Sequence, residues 1–110
     1  MSRVRDAMIP DPRTVEASAT TQEAGGHLVD PEVRAVYVCD GGRFVGVVTR
    51  KTLVARVVAE GRDPAVTVVG DIAEPPYYTI DADTPLDEAY RFIEEHDAER
   101  VPVCDGGRLV

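Results

Sequence analysis

Four consecutive residues, Thr49, Arg50, Lys51 and Thr52, carry the densest chemistry in this sequence. They follow an apolar run, Phe44 to Val48, and precede a helical stripe of Leu53, Val54, Val57 and Val58 that ends at Gly61, so a strand feeds directly into a helix N-terminus. Two cations in a first helical turn oppose the positive end of the helix dipole, which points to an anion held on the free N–H groups there. The plainer alternative is that Thr49 caps the helix and both cations are solvated.

Other reactive side chains give less. Glu94, Glu95, Asp97 and Glu99 read as a solvated helix face, and His27 and His96 as surface or helix-end residues without a ligand partner. Tyr77 and Tyr78 could stack on a base or line a dimer surface, but amphipathic tyrosines on a half-buried strand are commoner. Cys39 and Cys104 each precede a turn and read as small buried strand residues with no metal-ligand spacing. No nucleophile elbow, Walker loop or metal signature occurs, so enzymatic activity has no support, with no catalytic residue and no metal site expected.

The elements that position these residues come from one unit used twice. Val36-Tyr37-Val38-Cys39-Asp40-Gly41-Gly42-Arg43-Phe44-Val45 recurs 65 residues on as Val101-Pro102-Val103-Cys104-Asp105-Gly106-Gly107-Arg108-Leu109-Val110. Each copy reads as a β-hairpin whose Gly-Gly turn must accept positive φ. At the same offset Val4 aligns with Val69, Asp6 with Asp71, Pro10 with Pro75, Thr14 with Thr79, Ala17 with Ala82, Glu23 with Glu88 and Ala24 with Ala89. The repeats are therefore expected at 1–65 and 66–110, packed as a pseudo-two-fold pair because neither alone buries enough surface.

Within the first repeat the order is a short helical lead, a strand, a helix, two strands and a helix, and the second repeat stops before the last of these. The leads are Met1 to Met8 and Val68 to Ala73, and Thr14 to Ala17 is the first strand. Thr20 and Glu23 fit a capping box ahead of a helix over Thr21 to Val29, weakened by Gly25 and Gly26. Its counterpart is stronger, with Thr84 as N-cap, Pro85 first, and Leu86, Ala89, Tyr90 and Ile93 as one apolar stripe. Val110 aligns with Val45, so the second copy lacks the last helix; a truncated record or a covering second chain is expected, with Val103, Leu109 and Val110 left partly uncovered and self-association the consequence.

A net charge of −8 over 110 residues argues against non-specific binding to nucleic acid or an anionic membrane. No run approaches the roughly 20 apolar residues of a membrane span, and Met1 to Pro10 lacks the features of a signal peptide, so a cytoplasmic protein is expected.

The duplicated hairpin followed by Gly46-Val47-Val48-Thr49-Arg50-Lys51-Thr52-Leu53 resembles the CBS domain, two copies of which form a Bateman module. The likeness spans essentially the whole chain and is greatest to small stand-alone bacterial CBS-pair proteins. It implies an α+β fold of two βαββα repeats, the second incomplete, and regulatory binding of AMP, ADP, ATP or S-adenosylmethionine in a cleft between them. Carried over by position, Thr49 matches the family's Ser or Thr, Thr52 stands where the family has an Asp for the ribose hydroxyls, and Arg100 matches a basic residue that reaches the ligand phosphate. The backbone around Thr14, Val15, Val36 and Val38 would line the adenine pocket, with Arg50 beside Thr49 at the helix start.

The resulting expectation is a non-enzymatic homodimeric module that senses an adenosyl ligand and needs no cofactor. Two alternatives stand beside it: a CBS pair that acts only as an oligomerisation scaffold, and a regulatory fragment of a larger enzyme or transporter.

Overall fold

The computed structural model describes residues 2–8, 12–76, 78–96 and 101–110. Two compact units emerge, one formed by Arg13–Pro76 and the other by Met1–Pro12 together with Tyr77–Val110.

In the Arg13–Pro76 unit, β1 (Thr14–Glu16) leads to α2 (Thr21–Leu28), then to the hairpin of β2 (Val36–Asp40) and β3 (Arg43–Val48) and to α3 (Arg50–Leu53), which continues as a π-helical turn over Val54–Val58. β2 lies between the other strands, parallel to β1 with Val15 opposite Val38, and antiparallel to β3 with Val36 opposite Val48. The hairpin closes through Gly41 and Gly42 at φ 57° and 88°, as its Asp-Gly-Gly sequence predicts. One sheet face, carrying Val15, Val36, Val38 and Val48, packs with Ala24 and Leu28 of α2 and Val57 to make the core. Strands alternate in facing, and that alternation is visible in β2, where Val36 and Val38 are fully buried between half-buried Tyr37 and Cys39.

The other unit repeats this register. β4 (Ile80–Asp81) runs parallel to β5 (Val103–Asp105) with Ile80 opposite Val103, β5 pairs antiparallel with β6 (Arg108–Leu109), and α4 (Leu86–Glu95) connects them. Gly106 and Gly107 close its turn at φ 61° and 85°. Its smaller core joins Val4, Ile80 and Ala89, with Val103 half-buried against them; Leu109 and Val110 are also half-buried.

The two leads are exchanged. α1 (Val4–Ala7) belongs to the first sequence repeat but folds with the second: Val4 and Arg5 N–H groups donate to the Thr84 and Ala82 carbonyls, both at 2.9 Å. The second lead, a 3-10 turn over Val69–Asp71, does the same for the first repeat, Val69 and Gly70 donating to Ala19 and Ala17 at 2.8 and 2.9 Å. Val69 and Ile72 are fully buried in that core. Compact units and sequence repeats thus divide the chain differently, because each lead satisfies turn carbonyls of the opposite copy. Charge is added on an exposed surface, where Arg5 pairs with Asp83 at 2.8 Å and Asp105 at 3.4 Å and Arg3 pairs with Asp83 at 3.5 Å.

Several local expectations need correction. Thr20 accepts from the Glu23 N–H at 3.1 Å, but the reciprocal half of the capping box is absent among the described residues. Pro85, not Thr84, is the N-cap of α4, because at φ −57° and ψ 138° Pro85 lies outside helical geometry, and the Leu86 N–H donates to the Ser2 carbonyl at 3.0 Å. In the stripe after Thr52, Val57 is buried and Leu53 half-buried, whereas Val54 and Val58 are 58% and 71% exposed. The π turn, with Ala59 N–H donating to the Val54 carbonyl, shifts the angular spacing that a 3.6-residue period assumes. Gly61 ends this helix at φ 68° as expected.

Candidate functional site

The strand-to-helix junction sits beside the entrance to β2, because Val48 is paired with Val36. Thr49 is extended at φ −118° and ψ 175° and caps α3. Its Oγ1 accepts from the Thr52 N–H at 3.3 Å, while Thr52 Oγ1 accepts from the Thr49 N–H at 3.1 Å. The two hydroxyls are 3.0 Å apart, and Thr52 is only 4% exposed. A Thr in the third helical position thus performs the return half of a capping box that Glu or Gln usually performs.

Arg50 turns away from its own helix. Its guanidinium Nη2 donates to the Leu28 carbonyl at 2.6 Å and to the Asp30 carbonyl at 2.8 Å, so the cation lies at the negative end of α2. This accounts for one first-turn cation without an anion. Lys51 is exposed and has no ion-pair partner among the described residues.

Thr14, on the edge strand β1, is exposed and lies opposite Tyr37, whose N–H donates to the Arg13 carbonyl at 2.9 Å. Val15, Val36 and Val38 point into the core, so any contact they make with a ligand is through backbone. The structure thus gathers Thr14, Val15, Val36, Val38, Thr49, Arg50 and Thr52 into one unit. Arg100 lies outside the described residues.

Cys39 and Cys104 are half-buried. Burial pushes the Cys39 thiol up, and the charge of Glu16 adds to the shift. His96 ends α4 with its Nδ1 2.9 Å from the Phe92 carbonyl and its ring centroid 4.2 Å from that of Phe92 and 4.8 Å from that of Tyr78. Among the described residues, no three His, Cys, Asp or Glu side chains converge as a metal site.

Sequence reasoning missed two features. One is the Arg50 cap, for which the signals were a cation in an unfavourable first turn and an α2 without a glycine terminator. The other is a cleft of about 340 Å³ beside β4 and α4, lined by Ile80, Ala89 and Phe92 together with the charged Asp81, Glu88, Arg91 and Glu95. It depends on a strand edge facing a helix, which no local pattern encodes.

The CBS domain family model matches residues 4–59 and 69–110. The chain belongs to the CBS domain family. Its two CBS domains align over 111 residues with Hypoxic response protein 1 of Mycobacterium tuberculosis, at 31% identity, covering 100% of this chain and 78% of that protein. Among solved structures, Hypoxic Response Protein I with two coordinated zinc ions superimposes with a TM-score of 0.82 at 30% identity, covering 99% of this chain and 89% of that one. CBSX2 in complex with AMP superimposes with a TM-score of 0.77 at 29% identity, covering 97% and 85%. The mixed α/β fold with two CBS repeats is thereby established. No helix among the described residues is long and apolar enough to cross a membrane.

Proposed function

We propose that this CBS pair is a non-enzymatic regulatory module that binds an adenosyl ligand and acts in the cytoplasm as a homodimer, without binding nucleic acid or membrane. The observation that carries the reading is the pair of CBS repeats matched along the chain, joined to a relative of 29% identity, CBSX2, whose crystal structure holds AMP. In this reading Thr49 and Thr52 form the polar end of the site, and Arg50 adjoins it at the helix start. Backbone at Thr14, Val15, Val36 and Val38 meets the base, and Arg100 meets the phosphate.

The reciprocal Thr49–Thr52 cap shapes what such a site can hold. A hydroxyl already engaged at 3.0–3.3 Å is a weaker partner for a ribose diol than a carboxylate, so binding should be modest. The same closed cap favours a second reading, an oligomerisation scaffold that binds no ligand.

Thermal shift with AMP, ADP, ATP and S-adenosylmethionine separates the two. A ligand at 100 times its dissociation constant stabilises by about 2.7 kcal/mol. A raised midpoint with at least one of them supports the module, and four flat responses support the scaffold.

A further inference from the structure

We infer that Arg50 is the positioning residue of this proposed ligand site, tying the start of α3 to the end of α2 and to the loop that enters β2. The contact itself is independent of any ligand; its consequence for binding rests on the reading above.

α2 needs an external partner at its C-terminus. The last carbonyls of a helix lack intrahelical donors, and a positive-φ glycine usually supplies the turn that satisfies them. Here the C-cap is Val29, in ordinary right-handed geometry at φ −64° and ψ −33°. Gly25 and Gly26 weaken the helix further. Arg50 Nη2 provides the missing donor, at 2.6 Å to Leu28 and 2.8 Å to Asp30.

The Asp30 carbonyl also accepts the Val33 N–H at 3.0 Å, and its side chain accepts the Glu32 N–H at 3.0 Å. One guanidinium therefore holds the corner from which residues 31–35 run to Val36. Thr49 adjoins Arg50 in sequence, and Val48 adjoins Val36 in the sheet. Arg50 thus fixes two walls of the site: the helix start that carries Thr49, and the strand entrance that carries the backbone at Val36. A guanidinium engaged with two carbonyls acts on the ligand through these walls rather than by touching it.

Hydrogen exchange and titration of the whole chain test this, comparing the parent with Arg50→Gln, Arg50→Lys and Lys51→Gln, the last removing the neighbouring charge. Arg50→Gln should accelerate exchange at Glu32 and Val33 about five- to tenfold, Arg50→Lys less, and Lys51→Gln hardly at all. AMP and adenosine should both weaken, by the same factor of about three to ten, in Arg50→Gln. Unchanged exchange in Arg50→Gln overturns the tie. A loss confined to AMP makes Arg50 a direct phosphate contact and overturns the positioning role, as do parental affinities for both. If the parent binds neither compound, the ligand-site role of Arg50 is overturned, the proposed function is decided by the remaining adenosyl ligands of the thermal-shift test, and the exchange comparison still decides the tie.

Discussion

The hydroxyls of Thr49 and Thr52 lie 3.0 Å apart, and each also accepts the other's backbone N–H. In the proposed reading this closed pair takes the place of a hydroxyl and a carboxylate that would hold the ligand's ribose. Thr52→Val should therefore leave the Thr49 N–H without its partner and cost about 1–3 kcal/mol in chemical denaturation. Thr52→Asp keeps an acceptor for that N–H and places negative charge at a helix start, so it should be clearly more stable than the Val variant. It should also tighten AMP about five- to thirtyfold, with no gain for 2′,3′-dideoxy-AMP. An equal gain for both nucleotides would show that position 52 does not face a ribose.

Gly46 is required by a close approach. A Cβ there would lie 2.8 Å from Ala73 Cβ and 3.0 Å from the Glu74 carbonyl oxygen, because residues 73–74 cross β3 and Glu74 exchanges hydrogen bonds with Val47 at 2.8 and 2.9 Å. Gly46→Ala should lower stability by about 1–3 kcal/mol. Gly26→Ala, where no atom lies within 4 Å, should be neutral or stabilising by up to about 1 kcal/mol. Equal denaturation midpoints for the two variants would contradict the packing described.

The exchanged leads make a crosswise prediction. Val69 is fully buried among Val15, Val36 and Val38, and Val4 is buried beside Ile80 and Ala89. Truncating either to Ala removes about two methylene equivalents, roughly 1.6 kcal/mol. In hydrogen exchange, Val69→Ala should loosen β1 to β3 of the first repeat and Val4→Ala should loosen β4 to β6 of the second. Loosening of each residue's own sequence repeat would overturn the exchange.

The Cys39 thiol should be a poor nucleophile near neutral pH. Burial and Glu16 hold its pKa above the ordinary value, so the proton is retained more tightly in the folded chain than in the unfolded one. Its contribution to stability is fully present below the unfolded thiol's pKa and lost as pH rises through the folded one. Alkylation by iodoacetamide, followed by peptide mass, should be slower at Cys39 than in the urea-unfolded chain at pH 7.5. Glu16→Gln should narrow the gap, and an unchanged rate in that variant would remove the Glu16 effect.

How much of this was legible follows from the range of each interaction. The hairpins were readable because Asp-Gly-Gly between β-branched runs specifies turn and register locally, and duplication at a constant offset exposed the repeat. The Thr49 cap was readable for the same reason. Arg50 was not: its partners lie 22 and 20 residues away, and a guanidinium that reaches a neighbouring helix leaves only an unfavourable charge in its own first turn as a trace. The lead exchange was hidden because Val4 and Val69 look alike, and sequence identity between copies says nothing about which copy each packs against. Exposure of Val54 and Val58 depended on a π turn that no pattern in the sequence announced.

Calorimetric titration of AMP into the parent and into Arg100→Ala tests the central claim most directly. A module that binds an adenosyl ligand predicts saturable binding by the parent, weakened roughly tenfold to a hundredfold in Arg100→Ala through loss of a charge-assisted phosphate contact. Absence of saturable heat with AMP, and equally with ADP, ATP and S-adenosylmethionine, would contradict it and leave the scaffold as the function of this CBS pair.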